Sequence, residues 1–203
     1  MPPRTAGAGV ALRRAVVRVC RRLYERGLIA GQDGNVSVRL GSDRLLVTPA
    51  GRSKVDVRAG DLVELYLDGR RVTRQQSRAE ASSEVRVHLA AYRVRPDITA
   101  VVHAHPPVAT GFATAGVALD SSALAELVYS VGQVPLVPFA APGSDELAQR
   151  VAEFVAGHDA LLLEHHGAQT VGPSLETAHQ RMESLEHAAR ILLAARHVKW
   201  RVP

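Results

Sequence analysis

His103-Ala104-His105 puts two imidazoles two residues apart at the end of an apolar run. In a strand such residues point to the same face, so the pair can grip one metal ion. A second pair, His165-His166, follows Leu161-Leu162-Leu163-Glu164 and precedes Gly167. Two strands of one sheet, each ending in histidine, can supply the three nitrogen ligands of an open catalytic zinc site. Strand alternation lets only one of His165 and His166 face the other pair, and spacing does not say which. His88, His158, His179, His187 and His197 have helical or turn settings and read as surface or packing residues.

Three stretches could receive an anion or move a proton. Ser82-Ser83-Glu84 opens an expected helix over Ser83 to Arg93, with both serines as candidate N-caps. Its free N–H groups and positive dipole end suit a phosphate, and Glu84 in the first turn is a candidate general acid/base. Gly31-Gln32-Asp33-Gly34-Asn35-Val36-Ser37 is a glycine-bearing loop that can bring N–H groups and the Asn35 amide close to an anion. It is neither a dinucleotide fingerprint nor a P-loop, because no helix follows and no lysine is placed. Thr48-Pro49-Ala50-Gly51 is a turn of the same kind. Each of these, alone, reads as a cap or a turn before it reads as a site.

The elements that must position these residues follow from periodicity. Leu12, Val16, Val19 and Leu23 recur at helical spacing and run into Leu28 and Ile29, which makes the Arg-rich start, Arg4 included, a packed amphipathic helix rather than a transit peptide. Val36, Val38 and Leu40 alternate with polar residues as a strand, Gly41-Ser42-Asp43 turns the chain, and Arg44 to Thr48 is the hairpin partner. Strands are expected over Asp61 to Leu67, near Val72, Ile98 to His105, Val134 to Phe139 and Asp159 to Glu164. Helices are expected over Val108 to Ala115, Ser121 to Val128, Asp145 to Ala156 and from Leu175 to Leu192. Interleaving of this kind argues an α/β layered fold with a central sheet, in one domain over residues 1–203.

The composition narrows the function classes. The chain has 203 residues, 46% hydrophobic and 22% charged, with no apolar run near the roughly 20 residues a membrane helix needs. Cys20 stands alone, which rules out an intramolecular disulfide and an all-cysteine metal site, and a reducing, cytoplasmic setting is expected. The net charge is +5, yet only Lys54 and Lys199 are lysines. Lys199 lies in a polar end and Lys54 follows a Gly-Arg-Ser turn, so Schiff-base catalysis is not expected. Scattered arginines and 4% aromatic residues give few stacking platforms for nucleic acid. Steering of a small phosphorylated or carboxylated substrate is the expected use of the charge.

In order, Gly34-Asn35-Val36-Ser37, Thr48-Pro49-Ala50-Gly51, Ser82-Ser83-Glu84, His103-Ala104-His105 and His166-Gly167 resemble the class II aldolase/adducin family, L-fuculose-phosphate aldolase type, over nearly the whole chain. The resemblance implies a three-layer α-β-α sandwich with a mainly antiparallel sheet, a homotetramer with interface active sites, and a Zn2+ lyase, with Mn2+ or Co2+ as substitutes. It implies His103, His105 and His166 as metal ligands, and Glu84 as acid/base and candidate fourth ligand. Asn35, Gly51, Ser82 and Ser83 match phosphate-binding positions. The implied reaction cleaves a ketose 1-phosphate to dihydroxyacetone phosphate and an aldehyde. A same-family epimerase, dehydratase or decarboxylase, and a non-enzymatic adducin-like module, are the alternatives. Ala50 stands where the family usually has a hydroxyl residue, and the tyrosine proton donors of the fuculose enzyme have no counterpart, Leu124 falling at the expected place and Tyr129 out of it.

Overall fold

The computed structural model describes residues 6–73, 75 and 77–198, without the side chains of residues 6–8 and 197. Arg4 and Lys199, and the side chain of His197, therefore lie outside the described residues. Among the described residues six α-helices alternate with seven strands, the α/β interleaving expected. The strands are β1 (Asn35–Arg39), β2 (Arg44–Val47), β3 (Val63–Tyr66), β4 (Ala100–Ala104), β5 (Leu136–Val137), β6 (Ala160–Leu163) and β7 (Gly167–Gly172). They form one sheet in the order β3-β2-β1-β4-β7-β6-β5.

The expected mainly antiparallel sheet is corrected to a mixed one, because β5 joins β6 in parallel. The reason is the connection. Helix α5 (Asp145–Val155) crosses over between the two strands, whereas a short turn would have reversed the chain. Ser144 starts that helix by accepting a hydrogen bond from the Leu147 N–H.

Helices α1 (Ala6–Glu25), α3 (Pro107–Thr114), α4 (Ala125–Ser130) and α6 (Leu175–His197) pack on one sheet face, where Val36, Val38, Ala100, Val102, Leu162 and Ala168 meet Val16, Leu23, Met182 and Leu185. Helices α2 (Val85–Val94) and α5 pack on the other, against Leu45, Val47, Val101, Leu161 and Val171. Period-two alternation thus divides β2, β4, β6 and β7 between two apolar clusters.

Several boundaries move. The stretch expected as one helix from Ser121 splits into a 3-10 turn over Ser121–Ala123 and the short α4. Asp120 caps the turn through the Ser122 N–H. The strand expected near Val72 is only an isolated bridge between Leu65 and Arg71. Strand β7 was not expected from its sequence. Gly-Ala-Gln-Thr-Val-Gly shows no alternation, yet all six residues are buried between β4 and β6.

Candidate active site

Three strand ends and two loops converge beside the N-terminus of α2. Central strand β4 carries His103, whose Cα partners are Asn35 on β1 and Gln169 on β7. His105 lies just past the strand end, its N–H donating to the Leu28 carbonyl. The β6–β7 turn brings in His166. In that turn His165 adopts φ 55°, a left-handed conformation unusual for a residue with a Cβ. The reversal leaves His165 exposed against Phe139 and directs His166 inward. Only a glycine fits next. A Cβ at Gly167 would stand 2.6 Å from the His105 ring and 2.7 Å from the Ala104 carbonyl oxygen.

One nitrogen from each of His103, His105 and His166 lies within 4.8 Å of the other two. Nε2 of His103 is 3.1 Å from Nε2 of His105. Glu84 closes the group, with Oε2 3.3 Å from His103 Nε2 and Oε1 2.8 Å from His166 Nε2. Despite that distance, Glu84 Oε1 is buried with no aligned donor. Facing ring nitrogens and a carboxylate oxygen lacking a donor are the environment a cation would satisfy, and three nitrogens plus one oxygen suit a tetrahedral divalent ion. The residues present fit a metal. His103 Nδ1 is 2.9 Å from the Ala168 carbonyl oxygen, which holds its ring and leaves Nε2 as the ligand atom.

The electrostatics favour ligand-ready forms. Burial, then repulsion from His103 and His166, lowers His105 to about 4, so its imidazole is neutral at neutral pH. Burial alone would raise Glu84. The His103 and His166 imidazoles outweigh it and hold the carboxyl below the usual range, so it is ionised.

The anion candidates converge on the same corner. Thr48 Oγ1 accepts from the Val36 N–H, the Thr48 carbonyl accepts from the Ser82 N–H, and Pro49 bridges to Ala81. Gly51 turns at φ 63°. Gly34 turns at φ 69° where a Cβ would meet the His103 carbonyl oxygen at 2.8 Å. Asn35, expected to face an anion, donates from Nδ2 to Glu84 Oε2 at 2.9 Å and to Ser82 Oγ at 3.3 Å. The helix start differs from expectation. Helix α2 starts at Val85 with Glu84 at the N-cap position, so the serines precede the cap; Ser82 Oγ accepts from the Glu84 N–H at 3.4 Å. The displacement frees the Glu84 side chain from the helix and turns it toward the histidines.

The class II aldolase and adducin N-terminal domain matches residues 14–193. The chain belongs to this family. A 3-oxo-tetronate 4-phosphate decarboxylase of Escherichia coli strain K12 is 35% identical over 187 residues, covering 90% of this chain and 86% of its own. An L-fuculose phosphate aldolase of Methanocaldococcus jannaschii is 30% identical over 177 residues, covering 87% and 93%. The solved L-fuculose-1-phosphate aldolase from Thermus thermophilus superposes with a TM-score of 0.81 at 32% identity, covering 95% of this chain and 97% of that one.

Three groups around this cluster escaped sequence reasoning. Asp33 Oδ2 lies 3.5 Å from His105 Nδ1, the Ala168 carbonyl orients His103, and Lys54 is buried behind the loops at 2% exposure. Asp33 stood inside the glycine loop and could have been weighed as a partner for a histidine. The other two needed the pairing of β4 with β7 and the packing of a turn. His88 and His179 are buried, while His158 is half-buried and His187 exposed.

Proposed function

We propose that this chain is a divalent-metal lyase that cleaves a ketose 1-phosphate between C3 and C4, giving dihydroxyacetone phosphate and an aldehyde. The observation that carries the reading is the convergence of His103, His105 and His166 on the Glu84 carboxylate. His103, His105 and His166 would hold the ion, with Glu84 as a fourth ligand before substrate enters. Bound there, a divalent cation supplies Lewis-acid polarisation of the substrate's carbonyl and hydroxyl oxygens.

This chain's own groups do the rest. The ionised Glu84 carboxylate takes the C4 hydroxyl proton as that carbon becomes the aldehyde, the electron pair of the broken C3–C4 bond stays on C3 of the ketone fragment, and Glu84 returns the proton to C3. Asn35 holds the Glu84 carboxylate in place, and the Ser82, Ser83 and Gly51 segment receives the phosphate beside the α2 N-terminus. Zinc is the ion we assign. A three-layer α-β-α sandwich, supported by the apolar cluster on each sheet face, a single domain over residues 1–203, a homotetramer and a cytoplasmic location complete the reading. No helix among the described residues is long and apolar enough to cross a membrane.

Decarboxylation of a 3-oxo sugar-acid phosphate is the second reading, favoured by one observation. Among the described residues of one subunit no tyrosine hydrogen-bonds the cluster; Tyr92 is buried against Ser37, and Tyr129 is 90% exposed. Aldol cleavage must remove a hydroxyl proton from the leaving fragment, whereas departing carbon dioxide carries none. Both readings leave the same phosphorylated three-carbon fragment. The test is metal-loaded protein offered dihydroxyacetone phosphate with a panel of aldehydes and, separately, 3-oxo-tetronate 4-phosphate. Sugar-phosphate formation supports the aldolase, carbon dioxide release the decarboxylase, and neither product sinks both.

A further inference from the structure

Lys54 is one of two lysines in the chain, and its side chain is almost wholly buried at 2% exposure. It lies in a 3-10 turn over Lys54–Asp56 that packs against α1. Its Nζ donates to the Gln32 carbonyl at 2.7 Å and the Arg52 carbonyl at 3.0 Å. Gln32 belongs to the loop that delivers Asn35, and Arg52 follows Gly51 directly. One ammonium therefore joins the two loops that flank the anion corner.

Burying a cation is costly, and two carbonyl acceptors could be satisfied by any uncharged donor. Desolvation pulls the Lys54 ammonium below its ordinary value, and the neighbouring Cys20, Asp33 and Glu84 groups oppose that pull. Two carboxylates thus act on Lys54, the one lysine or arginine buried among the described residues. A phosphate dianion entering the same corner would add to that negative charge, and a fixed ammonium behind the loops offsets it.

We propose that Lys54 is a positioning residue for the substrate's phosphate, tying the Asn35 loop to the Gly51 turn and supplying a buried positive charge behind both. The inference rests on the phosphate reading of this site. Lys54 is almost wholly buried and its Nζ hydrogen bonds go to the Gln32 and Arg52 carbonyls, so it acts through the loops and not as a catalytic residue.

The experiment compares the metal-loaded parent with Lys54→Met and Lys54→Arg, reading metal content, thermal midpoint and inorganic phosphate affinity by calorimetry. Lys54→Met is expected to keep its metal and bind phosphate at least tenfold more weakly, while Lys54→Arg, which keeps charge and donors, recovers most of the affinity. In turnover the Met variant should raise KM far more than it lowers kcat. A purely structural clamp would lower the midpoint while leaving phosphate affinity of the folded protein within twofold, and that outcome overturns the proposal. If Lys54→Met does not fold, Lys54→Arg decides. Its phosphate affinity should fall when ionic strength rises as in the parent, and a tenfold loss despite an unchanged midpoint would refute the charge's role. A parent that binds no phosphate removes both this inference and the phosphate reading. A binding parent with an indifferent Met variant removes this one alone.

Discussion

The two faces of the sheet are built from the same strands but have different contents. On the face under α1, α3, α4 and α6 the strand side chains Val36, Val38, Leu46, Ala100, Val102, Ala104, Leu162 and Ala168 are apolar, and Thr170 satisfies its hydroxyl on the Ala178 carbonyl. On the face under α2, a polar row crosses the sheet, with Asn35, His103 and Gln169 in register on three adjacent strands. Ser37 sits one step below, bonded to His88 at 2.6 Å and Tyr92 at 2.9 Å. Asn35 Oδ1, His88 Nε2 and both polar atoms of the Gln169 amide are buried there without partners. Burying such groups unpaired costs stability that the strand side chains of the first face do not lose; the polar atoms that lack a hydrogen-bond partner on that side, Thr110 Oγ1 and both ring nitrogens of His179, belong to α3 and α6. One face is therefore organised for packing, and the other gives up packing to hold a reactive group.

The largest expected effect lies on the polar face. His103→Ala and His166→Ala should each abolish metal binding and activity, measured as metal per chain, while His165→Ala retains most of both. Glu84→Gln should keep fold and metal but lose about 10² to 10⁴ in rate. Activity within a few-fold of the parent would reduce Glu84 to a helix-end residue. On the other face, fully buried Leu46 gives the converse test. Leu46→Ala should cost about 2–5 kcal/mol in urea unfolding yet leave the turnover of folded protein unchanged. A large catalytic loss from Leu46→Ala would break the division of labour between the faces.

A smaller effect depends on pH. Burial lowers His88 to about 3, with repulsion from His103 adding and the Glu84 charge opposing. The folded state thus keeps His88 neutral where the unfolded chain, titrating near 6.5, takes up a proton. Its contribution to stability is complete above that value and is lost as pH falls toward 3, by up to about 1.4 kcal/mol per pH unit. Unfolding of metal-free protein between about pH 7 and pH 5 should therefore be less pH-dependent in His88→Gln than in the parent. Equal slopes would show that His88 is not the group responsible.

The same comparison explains what could be read without coordinates. Apolar alternation in β1 and the helical spacing of α1 and α6 made those elements visible in the sequence, and the Gly41-Ser42-Asp43 turn placed β2 as the hairpin partner of β1. The histidines were legible because His-x-His at a strand end and His-His-Gly at a turn are short local patterns. Strand β7 was hidden, because a central strand buried by its neighbours need not be hydrophobic; Gln169 and Thr170 are both at 0% exposure. The choice of His166 over His165 depended on a left-handed turn that spacing cannot encode. The burial of Lys54 was not legible from its place after a Gly-Arg-Ser turn, because that burial comes from α1, far earlier in the chain.

The smallest expected effect tests whether the polar face extends into the Thr48–Gly51 turn. Ala50 is exposed, and its N–H is already taken by the Glu80 carbonyl at 2.9 Å, so this residue has no free donor to offer an anion. Its methyl side chain adds none. Ala50→Thr places a hydroxyl beside Gly51 without disturbing the Pro49–Ala81 bridge, which uses backbone atoms only. If the turn cradles the phosphate, the added hydrogen bond should tighten binding by about 0.5–1.5 kcal/mol, or roughly two- to twelvefold. Calorimetric titration of metal-loaded parent and variant with inorganic phosphate measures this directly, and Asn35→Ala in parallel shows whether the amide adds to the same site. Tightening in Ala50→Thr would place the turn against the anion. Unchanged affinity there, with a clear loss in Asn35→Ala, would move the anion away from the turn and toward the Asn35 loop and the α2 N-terminus.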